Sequence, residues 1–373
     1  MKDQTLKFTI QREALLKPLQ AIGGVVERRQ TLPILSHVLL EVKAGRLSLT
    51  GTDLEVQIQG STELKDNKAS GGTTVPARKL MDICRTLPEQ AEMEISIENQ
   101  KVTIKSGRSR FSLLTLPAAD FPNIEESSPG LLEFSLPQKE LRFLIEKTSF
   151  AIAQQDARQY LRGMLLEAQK GVIRAVATDA HRLALSTVST DVKTEPNQVI
   201  VPRKGIMELL RLLSDQEGEV SIVIGTHHLR VVASDYVFNC KLIEGRFPNY
   251  EKVIPKNSNN NIVVDRDILK QALQRAAILS NEKLRGVCIQ LRPGLLRLLA
   301  NNPEHEEAEE ELVIDYQGEE IDIGFNIDYL LDVCNTLPAG AVKLSFLNAE
   351  SGALIESLDA KDNCLYVVMP MRL

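Results

Sequence analysis

The stretch Thr178-Asp179-Ala180-His181-Arg182-Leu183 follows a strand-like run, Val172-Ile173-Arg174-Ala175. A matching stretch, Thr52-Asp53-Leu54-Glu55, stands 126 residues earlier and follows the strand-like run Leu47-Ser48-Leu49-Thr50. Because the same Thr-Asp pair follows the same kind of strand twice, the chain contains at least two copies of one unit. Only the second copy continues with His-Arg-Leu. We interpret these three residues as a functional addition to a scaffold that folds without them.

Other motifs keep the same spacing of 126 residues. Val201-Pro202 repeats Val75-Pro76, and Phe247-Pro248-Asn249 repeats Phe121-Pro122-Asn123. A third and looser copy begins at Ile262-Val263-Val264, where either Asp265 or Asp267 is placed to cap the following helix. We therefore predict three domains, spanning residues 1–126, 127–253 and 254–373.

Each copy shows the order strand, helix, strands, helix, strands. The strands alternate apolar and polar residues, as in Leu6-Lys7-Phe8-Thr9-Ile10, and each helix has a single apolar stripe. Pro18 inside the first helix predicts either a kink or a shorter helix. A single stripe places each helix against a sheet, which predicts an α+β fold. Three separate α+β domains in a row would also give this pattern, but repeated units of similar length favour an arc or a ring.

Charge argues against a protein that grips phosphates over a wide basic face. The chain of 373 residues has 44 Lys and Arg against 50 Asp and Glu, a formal net charge of −6. The helices predicted at 77–87 and 203–213 are nevertheless locally basic, whereas Glu304–Glu311 contains six carboxylates in eight residues. Such a protein can surround an anionic rod without holding it tightly.

Targeting and redox signals are weak. The five cysteines are scattered and form no Cys-x-x-Cys pair, which is typical of a reducing cytosol and argues against disulfides and zinc binding. The first residues show no continuous apolar segment, and no apolar run is long enough to cross a bilayer. We expect a cytoplasmic protein without metal or cofactor.

Two roles are open to the Thr-Asp stretch, a catalytic one and a structural one. Asp179 and His181 would face the same side of an extended segment and could act as an acid/base pair. No nucleophile or second carboxylate accompanies them in a recognisable motif, and the equivalent Asp53 has no histidine. We therefore predict a structural aspartate and no catalytic residue. A repeat-built enzyme and a monomeric scaffold remain open alternatives.

Two further histidine-containing stretches could suggest metal binding. His227-His228 lies between two strand-like runs and is interpreted as a solvated turn. The acidic run around His305 lacks the fixed ligand spacing of a cation site, which favours a solvated face or a subunit contact.

Several longer motifs carry a family resemblance. They are Gln30-Thr31-Leu32-Pro33-Ile34-Leu35, Val75-Pro76-Ala77-Arg78-Lys79, Ser106-Gly107-Arg108-Ser109-Arg110-Phe111-Ser112-Leu113, Ala177-Thr178-Asp179-Ala180-His181-Arg182-Leu183, Ala277-Ile278-Leu279-Ser280-Asn281-Glu282-Lys283 and Tyr366-Val367-Val368-Met369-Pro370-Met371-Arg372-Leu373. Over its whole length the chain resembles the bacterial DNA polymerase III beta subunits, the sliding clamps. The resemblance implies a head-to-tail homodimer with helices lining a ring and antiparallel sheets outside. It also implies duplex DNA in the hole, a replicative polymerase and other DNA-processing proteins as partners, an ATP-driven clamp loader, and no ATP site or other cofactor.

The same resemblance implies a peptide-binding cleft for those partners. By tethering the polymerase there, the clamp would confer processivity. Its apolar and flexible side chains suit many related peptides. Lys252 stands where the family often has arginine. The assigned cleft residues are Leu161, Thr178, His181, Arg182, Leu183, Pro248, Val253, Tyr329, Leu354, Met369, Pro370, Met371, Arg372 and Leu373.

Two more surfaces follow from the resemblance. The DNA contacts map to Arg29, Gln155 and Tyr160, and Gln159 stands where some relatives have a second tyrosine. At the dimer interface, Phe111 and Leu113 form one side and Ile278 and Leu279 the other. Lys79, Arg108 and Arg110 face the acidic run Glu304–Glu311 across it.

Overall fold

The computed structural model describes residues 6–26, 32–64, 70–98, 100–124, 132–169, 171–191, 196–214, 217–359 and 361–372. The chain divides into two compact units. Unit 1 comprises Met1–Lys139 and Met207–Leu242, and unit 2 comprises Glu140–Ile206 and Ile243–Leu373. No helix in the described part of the chain has the length and apolar character needed to span a membrane.

The described residues form the helices α1 to α6, two in each sequence repeat. They are α1 Arg12–Ile22, α2 Ala77–Thr86, α3 Gln138–Thr148, α4 Arg203–Leu212, α5 Arg266–Ile278 and α6 Ile327–Thr336. Short 3-10 turns occur at Pro33–Ser36, Ala118–Asp120, Ser149–Ala151, Gln159–Arg162 and Tyr250–Lys252.

Unit 1 contains twelve of the strands in the described residues. They are β1 Leu6–Gln11, β2 His37–Lys43, β3 Arg46–Thr52, β4 Val56–Glu63, β5 Gly71–Pro76, β6 Glu92–Glu98, β7 Lys101–Ser106, β8 Ser109–Leu114, β9 Leu132–Pro137, β14 Glu219–Ile224, β15 His228–Val232 and β16 Tyr236–Lys241. They form a four-stranded sheet in the order β1-β6-β7-β8 and an eight-stranded sheet in the order β5-β2-β3-β4-β16-β15-β14-β9. All of the pairings are antiparallel.

Unit 2 repeats this plan. Its strands are β10 Gly163–Gln169, β11 Val172–Thr178, β12 Arg182–Ser189, β13 Asn197–Pro202, β17 Asn260–Asp265, β18 Gly286–Arg292, β19 Leu295–Asn301, β20 Glu307–Val313, β21 Ile321–Asn326, β22 Ala341–Phe346, β23 Ala353–Ser357 and β24 Cys364–Val368. They form an eight-stranded antiparallel sheet, β13-β10-β11-β12-β24-β23-β22-β17, and a four-stranded one, β20-β19-β18-β21. The predicted α+β class with repeated antiparallel sheets is confirmed.

Each eight-stranded sheet joins two four-stranded halves through one central pair of strands. In unit 1 this pair is β4 and β16, with Val56 opposite Cys240. In unit 2 it is β12 and β24, with Arg182 opposite Val368. The strand β8 at one edge of unit 1, and the strand β20 at one edge of unit 2, have no such partner within the described residues.

The proline in α1 does not shorten the helix. Pro18 is buried, and the helix continues beyond it to Ile22. A Cβ atom added at Gly60 on β4 would lie only 2.7 Å from the Cβ atom of Pro18. The absence of a side chain at Gly60 therefore lets the proline ring lie directly on the sheet.

Of the two predicted candidates, Asp265 caps α5. The carboxylate of Asp265 accepts hydrogen bonds from the main-chain N–H groups of Asp267 and Ile268. Asp265 thus satisfies two of the unpaired donors at the start of the helix.

Candidate partner-peptide cleft

The Thr-Asp stretch forms a tight turn between β11 and β12. Asp179 Oδ1 accepts the N–H groups of His181 at 3.0 Å and Arg182 at 2.9 Å. The Thr178 hydroxyl donates to the Arg182 carbonyl at 2.6 Å and accepts the Ala180 N–H at 3.1 Å. Because Asp179 is occupied by the backbone of its own turn, its predicted structural role is confirmed.

The first copy builds the same turn with the same bonds. Asp53 Oδ1 accepts the N–H groups of Glu55 and Val56, and the Thr52 hydroxyl donates to the Val56 carbonyl. Both turns place a non-glycine residue in the left-handed region, Leu54 at φ 77° and Ala180 at φ 73°. Since this conformation is uncommon for such residues, the Thr-Asp bonds are what hold it.

Arg182 joins this turn to α6. Its guanidinium pairs with Asp179 Oδ2 at 3.1 Å and with Asp332, and it donates to the Phe150 carbonyl at 2.8 Å. It also lies 4.5 Å from the centre of the Tyr329 ring, an attractive cation–π geometry. This side chain is only 11% exposed. Arg182 therefore holds the turn against its neighbouring residues. The His181 side chain is exposed and lies beside the Tyr329 ring.

A cavity of about 210 Å³ opens beside the turn. Its floor is the apolar core of the sheet, including Leu183, Val367 and Tyr250. The Met369 N–H donates to the His181 carbonyl at 2.8 Å, which fixes the C-terminal segment as one wall. The lining residues are Arg158, Tyr160, Leu161, Thr178, Ala180, Arg182, Leu183, Pro248, Tyr250, Val253, Val367 and Met369.

Seven of the predicted cleft residues line this cavity. They are Leu161, Thr178, Arg182, Leu183, Pro248, Val253 and Met369. Leu354 lies behind the floor, packed against the same core. His181, Tyr329, Pro370, Met371 and Arg372 do not line it, and Leu373 lies outside the described residues.

A second and more open hollow of about 770 Å³ shares Val253 and Met369 with the first. Lys252, Lys256 and Leu347 are among its lining residues. Both hollows are thus bordered by the same two apolar side chains. An extended peptide could place side chains in both.

Four lining residues were missed as cleft residues by sequence reasoning, namely Arg158, Ala180, Tyr250 and Val367. Two of them left a signal. Ala180 occupies the turn position of Leu54, and Tyr250 follows the repeated Phe-Pro-Asn motif. Tyr160, which the family resemblance assigned to DNA, also lies on the cavity wall.

Beneath the cavity, Tyr250 is held by a buried carboxylate. Glu167 is 3% exposed and accepts hydrogen bonds from Tyr250 at 2.9 Å, from Gln198 at 2.5 Å and from Arg174 at 3.3 Å. Burial opposes ionisation of Glu167, but the Gln198 and Tyr250 bonds outweigh it, so its pKa is held below its ordinary value. Burial likewise raises the pKa of Tyr250, to about 12.

Replacing Glu167 by glutamine should therefore destabilise the fold in a pH-dependent way. A lowered folded-state pKa gives stability that is present above the unfolded pKa of about 4.3 and is lost as pH falls through the folded value. At neutral pH we expect Glu167→Gln to lower the free energy of unfolding by about 1–3 kcal/mol. Urea unfolding from pH 7 to pH 3 should show this difference shrinking below pH 4. A difference independent of pH would contradict the assigned role of the carboxylate.

Apart from Tyr160, the predicted DNA-contact and interface residues that the structure describes do not line this cavity. Gln155 is exposed, and Arg29 lies outside the described residues. On unit 1, Lys79 is exposed on α2, the predicted interface residues Arg110, Phe111 and Leu113 lie along the edge strand β8, and Arg108 lies in the turn just before it. On unit 2, Ile278 is the last residue of α5 and is 75% exposed, and Leu279 follows it.

The acidic run is partly neutralised within its own unit. Glu310 binds Arg275 through two hydrogen bonds, of 2.7 and 2.6 Å, whereas Glu309 and Glu311 both pair with Arg297. Glu307, Glu309, Glu311 and Val313 alternate along one exposed face of β20. Three of the six carboxylates are thus committed to ion pairs.

Repeated two-helix units, with antiparallel half-sheets joined edge to edge and an apolar cleft beside one junction, define a DNA sliding clamp. Models of one protein family match nearly the whole chain. The DNA polymerase III beta subunit N-terminal domain matches residues 6–125, the central domain 135–249 and the C-terminal domain 251–372. The chain belongs to the DNA polymerase III beta subunit family.

Individual relatives are similar over their full lengths. The beta sliding clamp of Pseudomonas putida is 56% identical over 369 residues, and that of Escherichia coli K12 is 48% identical over 368 residues. Each alignment covers 99% of this chain and 100% of the relative. Among solved structures, a Pseudomonas aeruginosa clamp bound to griselimycin has a TM-score of 0.95 at 54% identity, covering 99% of this chain and 100% of that one. A Caulobacter crescentus clamp has a TM-score of 0.93 at 36% identity, with the same coverage.

Proposed function

We propose that two copies of this chain close head to tail into a ring around duplex DNA. The ring tethers the replicative polymerase, the clamp loader and other proteins through the cleft, performs no catalysis itself, and works in the cytoplasm, where bacterial DNA is replicated. Each copy contributes three domains, 1–126, 127–253 and 254–373. Retention by topology accords with a net charge of −6, because a clamp that bound phosphates tightly could not slide.

The dimer proposal is supported by the way the strands pair at the two sheet junctions within the chain. In unit 1 the strand β4 pairs with β16, and in unit 2 the repeat-equivalent strand β12 pairs with β24. The strand β20 is the equivalent of β4 and β12 in the third repeat. The strand β8 is the equivalent of β16 and β24 in the first repeat. Pairing β20 of one copy with β8 of another repeats both existing junctions. We call this contact the seam.

The existing junctions also predict the seam's register. Gln59 lies opposite Val237 in unit 1, and Leu185 lies opposite Leu365 in unit 2. The hairpin registers make Glu309 equivalent to Gln59 and Leu185, and Arg110 equivalent to Val237 and Leu365. Arg110 should therefore lie opposite Glu309, and Arg108, in the turn just before β8, should lie near Glu311.

This register follows from the strand pairings alone, and it places Arg110 opposite one glutamate and Arg108 near another. On the other face of the strands it brings Phe111 opposite Ala308, toward the side where Glu310 meets Arg275 of α5. Ile278 and Leu279 at the end of that helix can then cover Phe111 and Leu113. Apolar contacts should dominate, because exposed ion pairs contribute only about 0–1 kcal/mol each.

Disulfide trapping tests the seam. Directly opposed residues in antiparallel strands have Cα atoms about 4.5–5.5 Å apart, within the range of a disulfide. The double variant Arg110→Cys with Glu309→Cys should form a covalent dimer on mild oxidation, seen on a non-reducing gel.

The matched control is Arg110→Cys with Ala308→Cys, which moves one cysteine to the opposite face of β20. It should crosslink poorly. Equal crosslinking of both variants, or none in a chain that sedimentation shows to be dimeric, would contradict the proposed register. A chain that sediments as a monomer at micromolar concentration would contradict the ring itself.

A further inference from the structure

The segment 243–254, which we call the wall segment, forms one side of the cavity in unit 2. Its first and last residues, Ile243 and Ile254, pack against the apolar core of the sheet. The Ile243 N–H also donates to the Ile200 carbonyl of β13 at 2.9 Å. The lining residues that the wall segment contributes are Pro248, Tyr250 and Val253. The shape of the cavity therefore depends on how firmly this segment is held.

Tyr250 anchors the wall segment to the sheet near its middle. Its hydroxyl donates to Glu167 Oε2 on β10 at 2.9 Å. Arg174 of β11 and Gln198 of β13 lie directly opposite Glu167 on the two neighbouring strands, and both donate to the same carboxylate. Because three donors from three different segments converge on one buried carboxylate, the position of the Tyr250 ring is fixed.

The first copy keeps the carboxylate but has none of its three donors. Glu41 stands 126 residues before Glu167, and it is exposed. The strand registers agree with this equivalence, since the residues opposite Glu41 stand 126 residues before Arg174 and Gln198. The residues in place of Arg174, Gln198 and Tyr250 are Ser48, Gly72 and Ile124. The donors thus join His181, Arg182 and Leu183 as differences of the copy that contains the cavity.

The charge of Glu167 makes the bond to Tyr250 costly to lose. Hydrogen bonds to an ionised group are stronger than those between neutral groups, and Glu167 is only 3% exposed, so water cannot readily replace a lost donor. Without the bond, the wall segment is freer to move. It would then have to be ordered again whenever a peptide binds, and that ordering lowers affinity.

We propose that Glu167 is a positioning residue of the peptide cleft, which acts with Arg174 and Gln198 to hold Tyr250 and the wall segment in the form that receives a partner peptide. None of these three residues lines the cavity. The proposal rests on the peptide-binding role in the proposed function and deepens it, because it assigns part of the affinity to a buried polar network behind the cavity wall.

Isothermal titration of the full chain with a synthetic polymerase-derived peptide tests this role. Tyr250→Phe keeps the ring and its apolar contacts but removes the donor, so it should weaken peptide binding on the order of tenfold. Glu167→Gln should weaken binding by a similar factor. The double variant should lose about as much as the weaker-binding single variant, because both changes break the same bond.

Two matched controls separate positioning from a general loss of stability. Tyr316 is also buried in unit 2, and its hydroxyl donates to Asn260 Oδ1 at 2.9 Å, but it does not line the cavity. Tyr316→Phe should therefore lower the thermal midpoint and leave peptide affinity unchanged. Glu41→Gln, at the equivalent exposed carboxylate of the first copy, should also bind the peptide like wild type.

The outcomes distinguish this role from the cleft itself. If wild type binds the peptide and Tyr250→Phe binds it equally well, the positioning role is overturned and the cleft stands. Losses that add in the double variant, or an equal loss in Tyr316→Phe, overturn the role as well. A wild-type chain that binds no peptide overturns the proposed function. If Glu167→Gln does not fold, Gln198→Ala removes a different donor from the same carboxylate, and unchanged affinity in that variant would count against the role.

Discussion

Replacing Ile278 and Leu279 together by alanine is expected to convert the dimer into monomers at micromolar concentration. Ile278 is 75% exposed at the end of α5, so a partner surface that covers it removes a large apolar side chain from water. Fully burying such a side chain contributes about 1.5–3 kcal/mol, and each ring buries the pair at two seams. The summed loss is large enough to shift dissociation across the micromolar range, which sedimentation velocity measures directly.

The matched control is Ile268→Ala on the same helix. Ile268 is 53% exposed but lies near the start of α5, away from the residues assigned to the seam. It should leave the dimer unchanged. If the double variant remains dimeric, or if Ile268→Ala dissociates equally, the seam lies elsewhere on unit 2.

Deleting residues 369–373 should abolish binding of polymerase and loader peptides. Met369 borders both hollows of the cleft, and its N–H bond to the His181 carbonyl holds the segment in place. The Met371 N–H donates to the Gly324 carbonyl at 2.8 Å, which anchors the segment a second time. Removing an apolar wall that buries one or two leucine-sized anchors costs about 1.5–3 kcal/mol for each, enough to lose micromolar binding.

Isothermal titration with a polymerase-derived peptide measures this effect. The truncated chain should still dimerise, because the proposed seam uses other residues. Leu358→Ala, at another exposed leucine of unit 2, is a control that should bind the peptide normally. Unchanged affinity in the truncated chain would show that the cleft assignment is wrong.

Much of the fold could be predicted from the sequence because the repeats are local patterns. Constant spacing located the strands and helices, and the Thr-Asp pair located the turn. The pairing of β4 with β16, and of β12 with β24, could not be read from periodicity. Such pairs join residues far apart in the chain, and neither strand's own pattern specifies its partner.

The cleft was only partly predictable for a related reason. The position of Leu183 is taken in the first copy by Gln57, which is buried and accepts the Ile124 N–H at 3.0 Å. The sequence showed that His181, Arg182 and Leu183 differ from their equivalents. It did not show that Arg182 turns inward to Asp179 and Asp332, because that arrangement depends on packing against α6.

Retention on DNA tests the ring most directly. The chain is loaded by the clamp loader with ATP onto a nicked circular plasmid, and half of the sample is then linearised with a restriction enzyme. A ring held by topology should stay on the circles at elevated salt and run off the linear molecules. Equal retention on both forms, with a steep loss as salt rises, would show that phosphate contacts hold the protein and would contradict the sliding ring.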